Sequence, residues 1–291
     1  MIDQPLPSLD AWVERLGQLP IPVLRRTARE LDDLRAREES VTGRDLARVV
    51  LQDPLMAVKV LAYIEAHRRR SQNADITTID RAIMMLGITP FFRSFVALPI
   101  VEDHLRAQPP ALLGMLRVVA RARRAAFFAR DWAALRHDLD IDEITVAALL
   151  HDIAEILLWC FAPTLSLRVR QMQEADRALR SQDAQREVFG VTGLELQGAL
   201  CHAWHLPQLL QILMNDAQAA NPRVRNVVYA VNLARHSING WSDPALPDDF
   251  AAIADLLHLT PEAVMMRVGV DPYLAGTETE IGTDVSRSSA G

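Results

Sequence analysis

Helix-start signals recur along the chain, and no segment shows the strict alternation of apolar and polar residues that is typical of a β-strand. Thr42–Asp45 has the pattern of a capping box. Asp53-Pro54 places a capping carboxylate before a proline at a first helical position. Thr77–Asp80 predicts a further helix start, with Gly87 as the stop of that helix. Helix following helix without strands predicts an all-α fold.

The composition agrees with a helical core. Hydrophobic residues make up 50% of the 291 residues but aromatic residues only 5%, so we expect the core to be mainly aliphatic. Glycine occurs only 12 times, which favours helix over sheet. The net charge of −6 is mild for this length and gives no general attraction to nucleic acid or to an anionic membrane.

Three features bear on the compartment. Cys160 and Cys201 each lie in an apolar helical pattern, which favours two reduced core thiols over a disulfide. The N-terminus lacks the apolar region of a signal peptide. The longest apolar stretch, Ile144–Phe161, is interrupted by three polar residues and is not expected to span a membrane. We therefore expect a cytoplasmic protein.

Prolines and composition divide the chain into four parts. Pro109-Pro110 separates an N-terminal helical lobe, which extends to about Leu105, from a helical bundle between Ala111 and about His236. The long helix that opens the bundle is predicted over Ala111–Leu135. The expected organisation is an N-terminal segment (1–13), a main domain (14–215), a C-terminal helical extension (216–274) and a disordered tail (275–291) that is rich in Thr, Ser and Gly.

Five motifs in the expected order resemble the HDOD (HD-related output domain) family of bacterial signalling proteins. The resemblance covers roughly Leu16–Asn215 and implies an N-terminal helical lobe packed on a degenerate HD-type helical bundle. The chain departs from the family pattern at Ala62–Ala66, at Ala154 and at Thr192-Gly193. The five motifs are Leu19–Pro22, Asp45–Leu61, Thr78–Gly87, Leu149–Ile153 and Trp204–Pro207.

The pair His151-Asp152, inside an apolar helix, corresponds to the centre of an HD-type metal site. A complete site of that type also needs a histidine from an earlier helix and an aspartate from a later one. Here the earlier helix has arginines, which stay protonated and repel a cation, and the later helix has Asn232 at the corresponding position. The sequence therefore predicts no bound metal, no cofactor and no catalytic residue.

The HD architecture implies that the three helices converge on a relict cleft. Asp152 is then better placed to accept an arginine fork than to bind a cation. Two alternatives stay open for the cleft: a hydrogen-bonded polar cluster, or a pocket for a small anionic ligand. The arginines of the long helix are either a solvated face or a clamp for a phosphate or carboxylate. The candidate residues are Arg121 or Arg124, His151, Asp152, Glu155 and Asn232.

The resemblance implies a non-catalytic regulatory module of signal transduction that acts through protein–protein or small-ligand contacts. The partner would be an unknown signalling protein. The alternative is a metal-dependent HD-type phosphohydrolase that acts on a nucleotide or a cyclic dinucleotide. Nucleic-acid binding is not expected, although His67–Arg70 forms a second basic patch, because no aromatic residues interleave with that patch. No membrane contact is expected either.

Overall fold

The computed structural model describes residues 1–67, 75–176 and 178–271, and every regular element in these ranges is a helix. The predicted all-α fold is therefore confirmed. Most of the basic patch at His67–Arg70 and the whole predicted tail at 275–291 lie outside the described residues.

Seven helices precede the long helix of the bundle. They are α1 (Leu9–Gln18), α2 (Arg25–Arg35), α3 (Gly43–Val50), α4 (Pro54–His67), α5 (Ile79–Leu86), α6 (Ile88–Ser94) and α7 (Val101–His104).

The remaining helices form the bundle and its C-terminal continuation. They are α8 (Pro109–Leu135), α9 (Ile141–Leu150), α10 (Ile153–Phe161), α11 (Pro163–Ala175), α12 (Ser181–Phe189), α13 (Gly193–Ala203), α14 (Gln208–Leu213), α15 (Pro222–His236), α16 (Leu246–Leu257) and α17 (Pro261–Arg267). Short 3₁₀ turns lie at Glu38–Ser40, Asp216–Gln218 and Ser237–Asn239.

The capping patterns set several helix ends where the sequence predicts them. The Thr42 hydroxyl accepts a hydrogen bond from the backbone N–H of Asp45 at 3.3 Å, and the Asp45 carboxylate accepts from the backbone N–H of Thr42 at 3.0 Å. This is the predicted capping box of α3. Thr78 caps α5, and Gly87 ends that helix with φ of 83°, which favours glycine.

Asp53 fastens α4 to the start of α2. One oxygen of its fully buried carboxylate accepts from the backbone N–H of Leu55 at 2.9 Å, and the other accepts from that of Leu24 at 2.8 Å. Nearby, Val23 forms an isolated parallel bridge with Ile100. The N-terminal lobe is thus held by polar contacts as well as by its apolar core.

The bundle is built around α8, which packs chiefly against α9, α10 and α15. Its two opening prolines occupy the first helical turn, where a missing N–H costs no hydrogen bond, so α8 starts two residues before the predicted Ala111. The first helix of the chain also joins the bundle, because the Trp12 indole N–H donates to the backbone carbonyl of Phe189 at 3.1 Å. The expected boundary between residues 13 and 14 falls inside α1.

Two helix assignments need correction. The prediction of one continuous helix through His151-Asp152 is wrong, because a two-residue turn separates α9 from α10 and Asp152 has φ −101° and ψ 21°. The polar segment that begins at Ser181 is itself helical, as α12. The Ile141–Phe161 stretch is long and apolar enough to cross a membrane by composition, but 94% of its most apolar window is buried inside the bundle.

Candidate functional site

The turn between α9 and α10 brings the HD pair to the wall of a cavity of about 380 Å³, which we call the cleft. The cleft lies beside α8 and α10 and is closed by α11 to α13 and by the end of α15. His151 and Asp152 are both buried, with exposures of 6% and 8%. Buried groups of this polarity need partners, and the surrounding helices supply them.

Arg121 of α8 is the centre of the cleft. Its Nε donates to Asp152 Oδ2 at 2.8 Å, and its Nη2 lies 2.7 Å from the same oxygen. The same Nη2 donates to Glu155 Oε2 at 2.6 Å. One guanidinium therefore joins the carboxylate that precedes α10 to one in the first turn of α10, in the charge-assisted geometry that makes such pairs strong.

His151 is held between Asp152 and a third carboxylate, that of Asp216. Its Nε2 lies 2.9 Å from Asp216 Oδ1, and its Nδ1 lies 3.4 Å from Asp152 Oδ1. Arg235 of α15 adds a weaker contact, with Nη2 3.5 Å from Asp152 Oδ1. Four helical segments thus contribute charged groups to one connected network.

Burial and ion pairing shift the pKa values of His151 and Asp152 in opposite directions. Burial alone would lower the pKa of His151, but hydrogen bonds and attraction from Asp152 and Asp216 raise it to about 9. Burial would raise the pKa of Asp152, but Arg121, His151 and Arg235 hold it well below its usual range. At neutral pH His151 is therefore protonated, and both of its ring nitrogens donate.

The cleft carries an excess of positive charge. With His151 protonated, five cationic side chains line it against three carboxylates. The cations are Arg117, Arg121, His151, Arg170 and Arg235, and the carboxylates are Asp152, Glu155 and Asp216.

Two of the candidate residues lie elsewhere. Arg124 does not line the cleft. Its Nη1 donates to the backbone carbonyl of Ser237 at 3.3 Å, and its guanidinium lies 4.8 Å from the ring centre of Trp241. Arg121 and Arg124 therefore form no common clamp. Asn232 is absent from the residues that line the cleft, within the part of the chain that the structure describes. Arg235, one turn further along α15, reaches the cleft instead.

Sequence reasoning missed Arg235 and Asp216. A signal for Arg235 exists, because it lies three residues after Asn232 and shares the side of the helix that faces the pair. Asp216 lies in a 3₁₀ turn between α14 and α15, and no local pattern marks it as a partner of His151.

A metal does not fit this set of donors. The guanidinium of Arg121 already occupies the space between the Asp152 and Glu155 carboxylates, and a ligating histidine must be neutral with a free lone pair. Among the described residues, no group of three or more His, Cys, Asp or Glu side chains is arranged to hold a metal ion. The two cysteines are free and buried, which raises their thiol pKa.

Comparison with known families gives a match to the HDOD domain. The model of the HDOD domain matches residues 21–220, which is more than half of the chain. A search among curated protein sequences gives no match.

Solved structures share the fold. A response regulator, MmoQ from Methylococcus capsulatus strain Bath, is 21% identical and superposes with a TM-score of 0.65, covering 87% of this chain and 99% of its own. A virulence factor from Campylobacter jejuni is 19% identical, with a TM-score of 0.66 and coverage of 91% and 94%. A Shewanella amazonensis SB2B protein, provisionally named a phosphohydrolase, is 15% identical over 88% and 92% with a TM-score of 0.42, too low to carry an argument.

Proposed function

The chain belongs to the HDOD family, and on that premise we propose that it is a non-catalytic regulatory module of signal transduction. It acts by binding a protein partner or a small anionic ligand. The observation that carries the proposal is the double ion pair of Arg121 with Asp152 and Glu155. A permanent side-chain cation there supplies the positive charge that a hydrolase of this architecture takes from a metal.

The protonated state of His151 supports the same conclusion. A histidine that ligates a metal, or one that takes a proton from water, must be neutral. The carboxylates of Asp152 and Asp216 hold His151 in its charged form up to a pKa of about 9. Metal binding at neutral pH would have to displace both a proton from His151 and the guanidinium of Arg121.

The charge balance of the cleft favours an anion if a small ligand binds. Five cations face three carboxylates on the wall of the cleft, and Arg117 and Arg170 lie outside the Arg121 network. Arg170 is paired with Glu174 at 2.6 Å, so Arg117 is the better placed of the two for a ligand. Arginine binds phosphate and carboxylate groups in a two-pronged geometry. A phosphate or carboxylate ligand would bring the negative charge that balances the excess of cations in the cleft.

Two of the similar structures carry names from signalling and virulence, a response regulator and a virulence factor. Those names describe those proteins. They agree with the proposal that this chain is regulatory. The proposal itself rests on membership of the HDOD family, not on those names.

The proposal is tested by a turnover assay of the purified chain. Nucleoside triphosphates, cyclic dinucleotides and a simple phosphodiester are offered in turn with Mg²⁺, Mn²⁺ or Fe²⁺. We expect no more product than a His151→Gln variant releases. Metal-dependent turnover that is lost in His151→Gln would overturn the non-catalytic reading and restore the phosphohydrolase.

The binding half of the proposal has its own test. Affinity capture from the native cells, read by mass spectrometry, should enrich a specific protein over a capture with unrelated bait. Recovery of nothing above background, together with phosphoester turnover, would reverse the order of the two functions.

A further inference from the structure

A second concavity lies on the other side of α8 from the cleft. It has a volume of about 1790 Å³ and runs between α8 and the first-lobe helices α3, α5 and α6; we call it the groove. Residues of α8 that line the cleft, such as Gly114 and Arg121, and those that line the groove, such as Arg123 and Phe127, project from nearly opposite faces at 100° per residue. The two sites are therefore separate.

The floor of the groove is a regular stripe on α8. Ala120, Arg123, Phe127 and Arg130 follow at spacings of three, four and three residues, so they share one face of the helix. Phe127 leaves 65% of its surface exposed. A large exposed ring in the middle of a concave stripe is a feature of interaction surfaces.

The opposite wall contributes a second exposed apolar side chain. Met84 of α5 is 81% exposed and lines the groove with Ile88 and Pro90 of α6. Methionine is unbranched and polarizable, so it adapts to apolar partners of different shapes. The groove thus has an apolar strip, formed by Phe127 on α8 and by Met84, Ile88 and Pro90 on α5 and α6, that a partner can cover.

Arginines surround this strip. Five of them line the groove, against the two carboxylates of Asp80 and Asp142, although the whole chain has a net charge of −6. The arginines are Arg44, Arg48, Arg123, Arg124 and Arg130. The local charge is therefore the reverse of the charge of the molecule, and an acidic partner would be attracted here and repelled elsewhere.

Several of these arginines are available to a partner. Arg123 is exposed and donates to the side-chain amide of Gln52, which carries no charge. Arg130 and Asp142 form an exposed pair at 3.4 Å, with side-chain exposures of 57% and 55%. An exposed pair of this kind is weak and exchanges readily for a better carboxylate.

We propose that the groove binds an acidic amphipathic helix of a partner protein. The stripe from Ala120 to Arg130 covers eleven residues and a rise of about 15 Å, which matches about three turns of a bound helix. The apolar face of that helix covers Phe127 and Met84, and its Asp and Glu side chains pair with Arg44, Arg123 and Arg130. Arg48 is already paired with Asp45 at 3.3 Å. A nucleic acid fits less well because a phosphate backbone offers no apolar face to the exposed strip.

This inference rests on the regulatory role proposed above, but the two proposals are tested by different experiments, so either one can be wrong without the other. The regulatory role is tested at the cleft by turnover and metal content. The groove is tested by peptide binding, so loss of the groove proposal leaves the metal and turnover results unchanged.

The probe is a random 16-residue peptide display library, selected against the full chain. We expect the enriched peptides to carry net negative charge with apolar residues three and four apart. In fluorescence anisotropy, such a peptide should bind at least ten-fold more weakly to Phe127→Asp and to Arg123→Glu. The matched controls are Leu139→Asp and Arg106→Glu, exposed positions outside the groove that should leave binding unchanged.

Four results of the peptide experiments would overturn the proposal. They are no enrichment, enriched peptides without an acidic bias, equal binding to wild-type and groove variants, and a 16-base-pair DNA duplex that displaces the peptide from the groove. A thermal melt of each variant checks that it is folded. Self-association that needs Phe127 and excludes the peptide would instead assign the groove to a second copy of the chain.

Discussion

The cleft and the groove use arginines of the same helix in opposite ways. In the cleft, the Arg121 side chain is only 13% exposed, and its charge is paired with two carboxylates of the same chain. In the groove, Arg123 is exposed and donates to the neutral side-chain amide of Gln52. Arg121 and Arg123 are only two positions apart on α8, yet one is part of the ion-pair network of the cleft and the other lies on the open surface of the groove.

The difference follows from burial. A buried charge must be paired, because leaving it unpaired costs several kcal/mol, whereas an exposed charge is solvated and stays free for a partner. We therefore expect the charged network of the cleft to contribute to the stability of the bundle. We expect the groove to contribute little to stability, so that its exposed side chains can bind the proposed partner.

The largest expected effect separates the two regions directly. Asp152→Ala removes one partner of Arg121 and of His151, and we expect a loss of about 3–5 kcal/mol in the free energy of unfolding. The matched control is Asp142→Ala, which breaks the exposed pair with Arg130 and should cost less than about 1 kcal/mol. Urea unfolding measures both. Similar losses for the two variants would remove the distinction between cleft and groove.

The protonation of His151 predicts a dependence of stability on pH. Its pKa is about 9 in the folded chain against an ordinary value of 6.5, so its contribution is complete below pH 6.5 and is lost as the pH rises through 9. We expect the wild-type to lose roughly 3 kcal/mol over this window relative to His151→Gln.

Buried Cys160 and Cys201 add the same alkaline dependence to both proteins, so the difference between the two curves isolates His151. The measurement is the free energy of unfolding at pH 6 and at pH 9.5. Parallel curves for wild-type and His151→Gln would mean that the histidine is not held in its charged form.

Packing on the cleft side predicts a smaller effect. A Cβ added at Gly114 of α8 would lie 2.6–2.9 Å from ring atoms of Trp159, so Gly114→Ala should cost about 1–3 kcal/mol. Gly198 of α13 has no heavy atom within 4 Å of such a Cβ, and Gly198→Ala should stabilise by about 0.5–1 kcal/mol. Thermal melts compare the two, and a Gly114→Ala variant as stable as Gly198→Ala would show that the ring moves aside freely.

The smallest effect is expected in the groove. Phe127→Asp should change the free energy of unfolding by no more than about 0.5 kcal/mol, because the ring is mostly exposed. Its neighbour Phe128 is buried and stacks on Trp132 at 5.7 Å, so Phe128→Ala should cost about 3–5 kcal/mol. Chemical denaturation separates the pair, and a large loss in Phe127→Asp would mean that the ring belongs to the core.

Local patterns were enough to predict the fold. Capping residues such as Thr42 and Thr78 act within one turn of the chain, so their effect can be read from the sequence. The site needed more than local patterns. The pair His151-Asp152 was identifiable, but its partners Arg121 and Asp216 are distant in sequence, so no local pattern predicts these contacts.

The choice between Arg121 and Arg124 could not be made from the sequence for the same reason. Both lie on α8, and which of them turns inward depends on what α10 and α15 place beside them. Arg124 has Ser237 and Trp241 as neighbours, which come from a part of the chain more than a hundred residues away. Side-chain spacing gives the face of a helix, and tertiary packing decides what that face meets.

The central claim, that Arg121 takes the place of a metal, is tested most directly by metal analysis combined with a chelator. The chain is purified without chelator, its iron, manganese and zinc are measured, and its melting temperature is then recorded with and without EDTA. The account predicts less than stoichiometric metal and an unchanged melting temperature. Stoichiometric metal that disappears in His151→Ala, with a melting temperature that falls sharply in EDTA, would contradict it.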